Sequence, residues 1–175
     1  MTGKKEEAPQ EESTTFVRPQ KKTDWRVAAI RIGIIATVTV LLCLFILRPM
    51  VINGASMMPT YSSRGFTFAF LPYFKMYDPQ RHQVVIISHA GFNTFILKRV
   101  IAFPGETVGI RNGVVYVNGK ALDEPYVKYD CNWNMPANEV PKGKLFVLGD
   151  NRSMPMREHM GGLVDRSRLA GVPIW

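Results

Sequence analysis

Phe95-Ile96-Leu97-Lys98-Arg99-Val100-Ile101-Ala102-Phe103-Pro104-Gly105-Glu106 is the stretch on which the fold turns. Phe95 to Ile101 is dense in β-branched and aromatic side chains and Pro104-Gly105 closes it, the pattern of a strand running into a turn. A lysine stands in its middle. Lysine is rarely buried, and burial lowers its pKa because it disfavours the charged form. A neutral lysine amine takes a proton from a serine hydroxyl. A lysine on the solvent face of an edge strand does no such chemistry, and Lys98 by itself fits either description.

Outward from this strand the chain from Arg48 to Trp175 keeps the same character. Phe66 to Leu71 reads as a short aromatic strand, Gln83 to Ser88 as a second, and Phe92 to Ile101 as a third that carries Lys98. Thr107 to Ile110 and Val114 to Val117 flank Asn112-Gly113, a hairpin turn signal, and Asn118-Gly119 marks another turn. Lys144 to Leu148 is the last clear strand. Short strands, Gly and Pro punctuation and the lack of a long helical pattern predict a mainly β domain over residues 49–175, large enough for one core. There are no internal repeats. Cys43 and Cys131 are a poor disulfide pair because Cys43 lies in an apolar run, and no C-x-x-C spacing is present. His82, His89 and His159 show no ligand spacing, so neither metal nor cofactor is expected.

Upstream, Ile32 to Leu47 is sixteen residues without a charge. A spanning helix needs about twenty residues. Val27 to Ile30 completes it, with Arg31 and Arg48 snorkelling to opposite interfaces. A cleaved secretory signal fits less well: Arg48-Pro49 follow the run, and Asn53-Gly54-Ala55 is a poor small-x-small site. The expected organisation is a disordered cytoplasmic tail over 1–26, a transmembrane signal-anchor helix over 27–48 and the β-rich domain beyond. Arg18, Lys21, Lys22, Arg26 and Arg31 precede the core of the run, so the positive-inside rule leaves the N-terminus in the cytoplasm and the domain outside. After Arg31, fifteen Lys and Arg stand against nine Asp and Glu. This excess of +6 is either an attraction to anionic headgroups or ordinary surface charge. The basic residues are scattered and form no nucleic-acid motif.

Between the apolar run and the first strand lies Asn53-Gly54-Ala55-Ser56-Met57-Met58-Pro59-Thr60-Tyr61. Gly54 and Ala55 allow another backbone to approach Ser56, and Pro59 restricts Met58 to an extended conformation. A serine presented at such a turn is either a simple turn residue or a nucleophile awaiting a base.

Ser56-Met57-Met58-Pro59-Thr60, Lys98 to Gly105 and Gly149-Asp150-Asn151-Arg152 together resemble the boxes of type I signal peptidases, the Ser/Lys endopeptidases of bacterial membranes. They occur in the family's order, after an N-terminal membrane segment, and the resemblance covers roughly Met50 to Gly171. It implies a fold of antiparallel sheets. It further implies Ser56 as nucleophile, Lys98 as general base, and exported preproteins with signal peptides as substrates. The lipid bilayer and the secretion translocon are the implied partners, with the cell membrane as location. Ile52, Met57 and Leu97 match positions that line the pockets for small residues before the scissile bond. The Ser56 backbone N–H is the first oxyanion donor. Gly54 stands where Gram-negative members carry a second donor serine, as in many Gram-positive members. Asp150, Asn151 and Arg152 are expected to brace the site.

Two places depart from the family pattern. Where an x-x-S-x-D-S-R run usually follows the third box, this chain has Pro155 at the lysine-orienting serine, Arg157 at the aspartate and His159 at the arginine. Ser153, and a pairing of Arg157 with Glu158 or Asp165, are the candidate replacements. His82-Gln83 replaces a usual Gly-Asp pair. A Ser56–His–Asp150 triad is a further arrangement that sequence leaves open. The rival to the peptidase is a signal-peptidase-like assembly factor, for example for pili, that binds extended peptides without cutting them.

Overall fold

The structure, a computed structural model, describes residues 24–90, 94–159 and 162–174. Helix α1 spans Trp25–Phe45, and none of its residues is buried. Asp24 caps its start: its carbonyl accepts from Ala28 N–H and its Oδ1 from Arg26 N–H at 3.1 Å. The expected boundaries shift at both ends. Asp24, Trp25 and Arg26, expected in the tail, cap and open the helix; residues 1–23 of the expected tail lie outside the described residues. Leu47 and Arg48, expected inside the span, belong instead to strand β1, Leu47–Val51, because they pair with Phe70 and Ala69.

The β portion is two sheets in which every strand pairing is antiparallel. The strands are β2 Phe66–Phe70, β3 Val84–Ala90, β4 Thr94–Ala102, β5 Thr107–Arg111, β6 Val114–Val117, β7 Lys120–Ala121, β8 Met135–Glu139, β9 Lys144–Leu148, β10 Leu163–Asp165 and β11 Leu169–Pro173. The seven-stranded sheet runs β1-β2-β11-β3-β4-β9-β10 and the four-stranded sheet β7-β6-β5-β8. Asn112 and Gly113 both take positive φ, 47° and 81°, as a tight β5–β6 hairpin demands. β8 and β11 carry no clear strand signal in sequence. Met-Pro-Ala-Asn-Glu and Leu-Ala-Gly-Val-Pro become strands through pairing with β5, and with β2 and β3.

β4 lies between β3 and β9, and its alternation divides the core. Val100 packs with Val85, Ile87, Leu145 and Val147, whereas Leu97 packs with Ile52, Met57, Ala69 and Ile86. β9 pairs with β4 only over Arg99 to Ala102, while β3 pairs with it from Thr94 to Arg99. The Phe95–Lys98 half of β4 therefore keeps one edge open.

Candidate active site

Ser56 sits in a turn entered through Gly54 at φ 119° and tied by Met58 N–H to the Ala55 carbonyl and Tyr61 N–H to the Met57 carbonyl. The Met58–Pro59 peptide is cis. The third box grips this turn from behind. Asn151 N–H donates to the Ser56 carbonyl at 3.0 Å, and Asn151 Nδ2 donates to the Ala55 carbonyl at 3.1 Å. Gly149 packs against the same turn: a Cβ there would lie 2.2 Å from the Ser56 carbonyl oxygen. Among the described residues the Ser56 N–H donates to nothing.

Lys98 occupies the middle of β4 opposite Val85 and is 2% exposed. Burial lowers its pKa to about 8, against the opposing pull of the Glu158 and Asp150 carboxylates. Its Nζ has no hydrogen-bond partner among the described residues. Ser56 and Lys98 line one groove of about 240 Å³, together with Ile52, Gly54, Met57 and Leu97. No hydrogen bond joins Ser56 Oγ to Lys98 Nζ, and such contacts often tighten only with substrate bound. Ile52, Met57 and Leu97 come together as one apolar cluster on the groove.

The next residue, Arg99, takes part in a buried ion network. Its Nε donates to Asp150 Oδ1 at 2.8 Å, its Nη2 to Asp150 Oδ2 at 2.5 Å, and its Nη1 to the His82 carbonyl at 2.6 Å. Thr60 Oγ1 also donates to Asp150 Oδ2, at 2.5 Å, so the turn that carries Ser56 is bolted to the same carboxylate. The Arg99 guanidinium lies 3.9 Å above the Tyr126 ring. Arg152, 1% exposed, grips Glu124 with both terminal nitrogens at 3.1 and 2.5 Å. Its Nε donates to the Gly149 carbonyl at 3.0 Å. Tyr126 donates to Glu124 at 2.9 Å, and burial together with that carboxylate raises its pKa.

The family model described as signal peptidase, peptidase S26, matches residues 24–174. The chain belongs to the peptidase S26 signal peptidase family. It is accordingly a peptidase. It is 34% identical over 145 residues to signal peptidase IB of Staphylococcus aureus, covering 73% of this chain and 75% of that one. It is 34% identical over 159 residues to signal peptidase I of Bacillus amyloliquefaciens, covering 85% and 83%. A crystal structure of a signal peptidase I from Enterococcus faecalis superposes with a TM-score of 0.46 at 30% identity, over 55% of this chain and 97% of that one.

The departures from the S26 boxes resolve into particular contacts. Ser153 is exposed and donates to Asn151 Oδ1 at 2.6 Å, so it steadies Asn151 and does not take the place of the missing serine beside Lys98. Asp165 pairs with Lys144 at 2.8 Å, and Glu158 has no side-chain partner among the described residues, so neither expected Arg157 pair forms. The buried arginine is instead Arg152, and its acid is Glu124, in the irregular segment after β7. His82, in the position of the usual glycine, has φ 65°, the left-handed conformation glycine favours, and its ring contacts Tyr126.

His159 is fully buried on the 3₁₀ turn Met156–His159, against Trp133. Its Nδ1 accepts from Gly149 N–H at 2.9 Å. Burial, with Lys98 and Arg152 nearby, lowers its pKa to about 3. None of the three histidines bonds to Asp150, whose oxygens are held by Arg99 and Thr60, so the triad is not assembled.

Sequence reasoning gave Thr60 and Arg99 no role beyond membership of their boxes, named Glu158 and His159 only at the departures from the family pattern, and missed Glu124 and Tyr126. For Arg99 a signal existed: a second cation directly after a strand lysine must face the other side of the sheet. For Glu124 and Tyr126 there was none.

Proposed function

We propose that this chain is a membrane-anchored signal peptidase that cuts signal peptides from exported preproteins with a Ser56–Lys98 dyad. The observation that carries the proposal is Lys98: buried, unpaired, lowered toward pKa 8, and on the same groove as Ser56. Ser56 Oγ attacks the scissile carbonyl while Lys98 Nζ takes its proton. The free Ser56 N–H donates to the oxyanion, and Lys98 returns the proton to the leaving amine. Lys98 then takes a proton from water, whose oxygen attacks the acyl-enzyme, and Ser56 is regenerated. The substrate lies extended on the open edge of Phe95–Lys98, adding a strand, with small side chains entering the Ile52–Met57–Leu97 pocket. Gly54 supplies no hydroxyl to the oxyanion.

Helix α1, 21 residues with no buried residue and an 18-residue window of mean hydropathy 2.4, supports a single span with a cytoplasmic N-terminus. The bilayer, and the translocon that delivers the preprotein, are the partners this arrangement implies.

The test is cleavage of a preprotein in detergent micelles by wild type, Ser56→Ala and Lys98→Ala. Wild type yields product ending in a small residue. Each variant loses at least ~10²–10⁴-fold in rate, the range for removing a positioned base. Wild-type activity also rises as pH passes about 8, where Lys98 loses its proton. A rate flat from about pH 6 to pH 10 contradicts a lysine base. A wild type that binds the peptide without cutting it points to the assembly-factor alternative.

A further inference from the structure

The turn that follows the third box carries Glu158, next to the buried His159. Glu158 lines the groove that holds Ser56 and Lys98. We propose that Glu158 is a positioning residue of the reaction, its carboxylate acting across the groove as the counter-charge of the Lys98 amine where Pro155 offers no hydroxyl. The proposal rests on Lys98 being the base.

Elimination among the neighbouring charges leads to Glu158. On the loop after β9, Asp150 is saturated by Arg99 and Thr60, and Arg152 is bound to Glu124. On β4 itself Arg99 faces the opposite side. On the 3₁₀ turn, Arg157 is exposed and His159 is neutral down to about pH 3. On β3, His89 lines the groove at an exposed position. Among the described residues Glu158 is thus the one carboxylate on the groove, and none of them neutralises it.

The consequence has a definite sign. An anion near an amine favours the ammonium, so Glu158 raises the proton affinity of Lys98 against the burial that lowers it. The ammonium is inactive as a base. The carboxylate therefore holds the enzyme back near neutrality and lets activity develop as pH rises.

The experiment is the pH dependence of kcat/KM for preprotein cleavage by the full chain in detergent. The proteins are wild type, Glu158→Gln, Glu158→Asp and Lys98→Ala, at low and high salt. Glu158→Gln is expected to move the acidic limb down by about half a pH unit, the size of an exposed charge pair. Its rate at pH 7, relative to its own alkaline plateau, then rises about threefold. Glu158→Asp keeps the limb near wild type. High salt moves the wild-type limb in the same direction and barely moves that of Glu158→Gln. The shift persists in a His89→Gln background.

A Glu158→Gln limb coincident with wild type, beside an inactive Lys98→Ala, overturns the inference and leaves the dyad standing. Loss of cleavage by Glu158→Gln at every pH, with unchanged thermal unfolding, also overturns it, because the carboxylate then acts in the chemistry itself. Full cleavage by Lys98→Ala removes the dyad, and the role of Glu158 with it.

Discussion

Lys98 and Arg99 are adjacent in the chain, both cationic and both largely buried, yet their surroundings are opposite. Arg99 points to the side where Asp150, Thr60, Tyr126 and the His82 carbonyl converge, and its guanidinium is met at every nitrogen. Lys98 points to the groove, and its Nζ makes no hydrogen bond among the described residues. A buried charge that is fully paired stays charged and serves as structure; a buried charge left unpaired sheds its proton and becomes a base. One strand thus supplies a paired cation and an unbonded one from consecutive residues, because side chains alternate across a sheet.

The contrast can be broken most severely on the paired side. Asp150→Ala leaves Arg99 buried without its acid, and removing one partner of a buried pair typically costs about 3–5 kcal/mol. Chemical denaturation of the full chain in detergent should show this loss, with cleavage falling alongside because Thr60 loses its anchor. An unaltered midpoint would mean that the network is ornamental.

Gly149→Ala strikes between the two sides. Its Cβ would meet the Ser56 carbonyl at 2.2 Å, a backbone atom that cannot step aside cheaply. Displacing a nucleophile by about 1 Å costs roughly 10²-fold in rate, so kcat should fall by that order while the fold survives. Full activity would show that the Ser56 turn tolerates movement.

The smallest effect sharpens the unpaired side. Lys98 releases its proton near pH 8 in the folded chain, against an ordinary value of 10.5. Between those values the unfolded chain binds more protons, so stability rises with pH. Below about 8 the lysine opposes folding in full, and by 10.5 the penalty has gone. Lys98→Met should therefore be more stable than wild type at pH 7 by on the order of 1–3 kcal/mol. That advantage should shrink as pH rises from 8 to 10.5, as thermal unfolding across that range would reveal. A constant difference would mean that Lys98 is charged in the folded chain throughout.

Most strands were legible because period-two apolar runs and Asn-Gly turns are local signals: Val114–Val117 and Lys144–Leu148 run as expected. β1 was hidden because Leu47 and Arg48 continue an apolar run whose helix stops at Phe45. β8 was hidden because a proline-containing polar segment becomes a strand only when β5 is there to pair with it. Ile52, Met57 and Leu97, singled out in sequence by the family positions they match, do come together as one apolar cluster. The fate of Ser153, and the failure of Arg157 to find an acid, were not.

The amino-acid sequence by itself determined the β character of the domain, the apolar helix before it, and the order of the three boxes, since each is written in contiguous residues. Only the tertiary structure decided that Asp150 would bind Arg99 and Thr60, the latter 90 residues away. It also decided that Arg152 would find Glu124, 28 residues away, and that Lys98 would be left unpaired. The physical reason is that a side chain's protonation and duty follow from what surrounds it, and strands distant in sequence bring those surroundings together only when the sheets close.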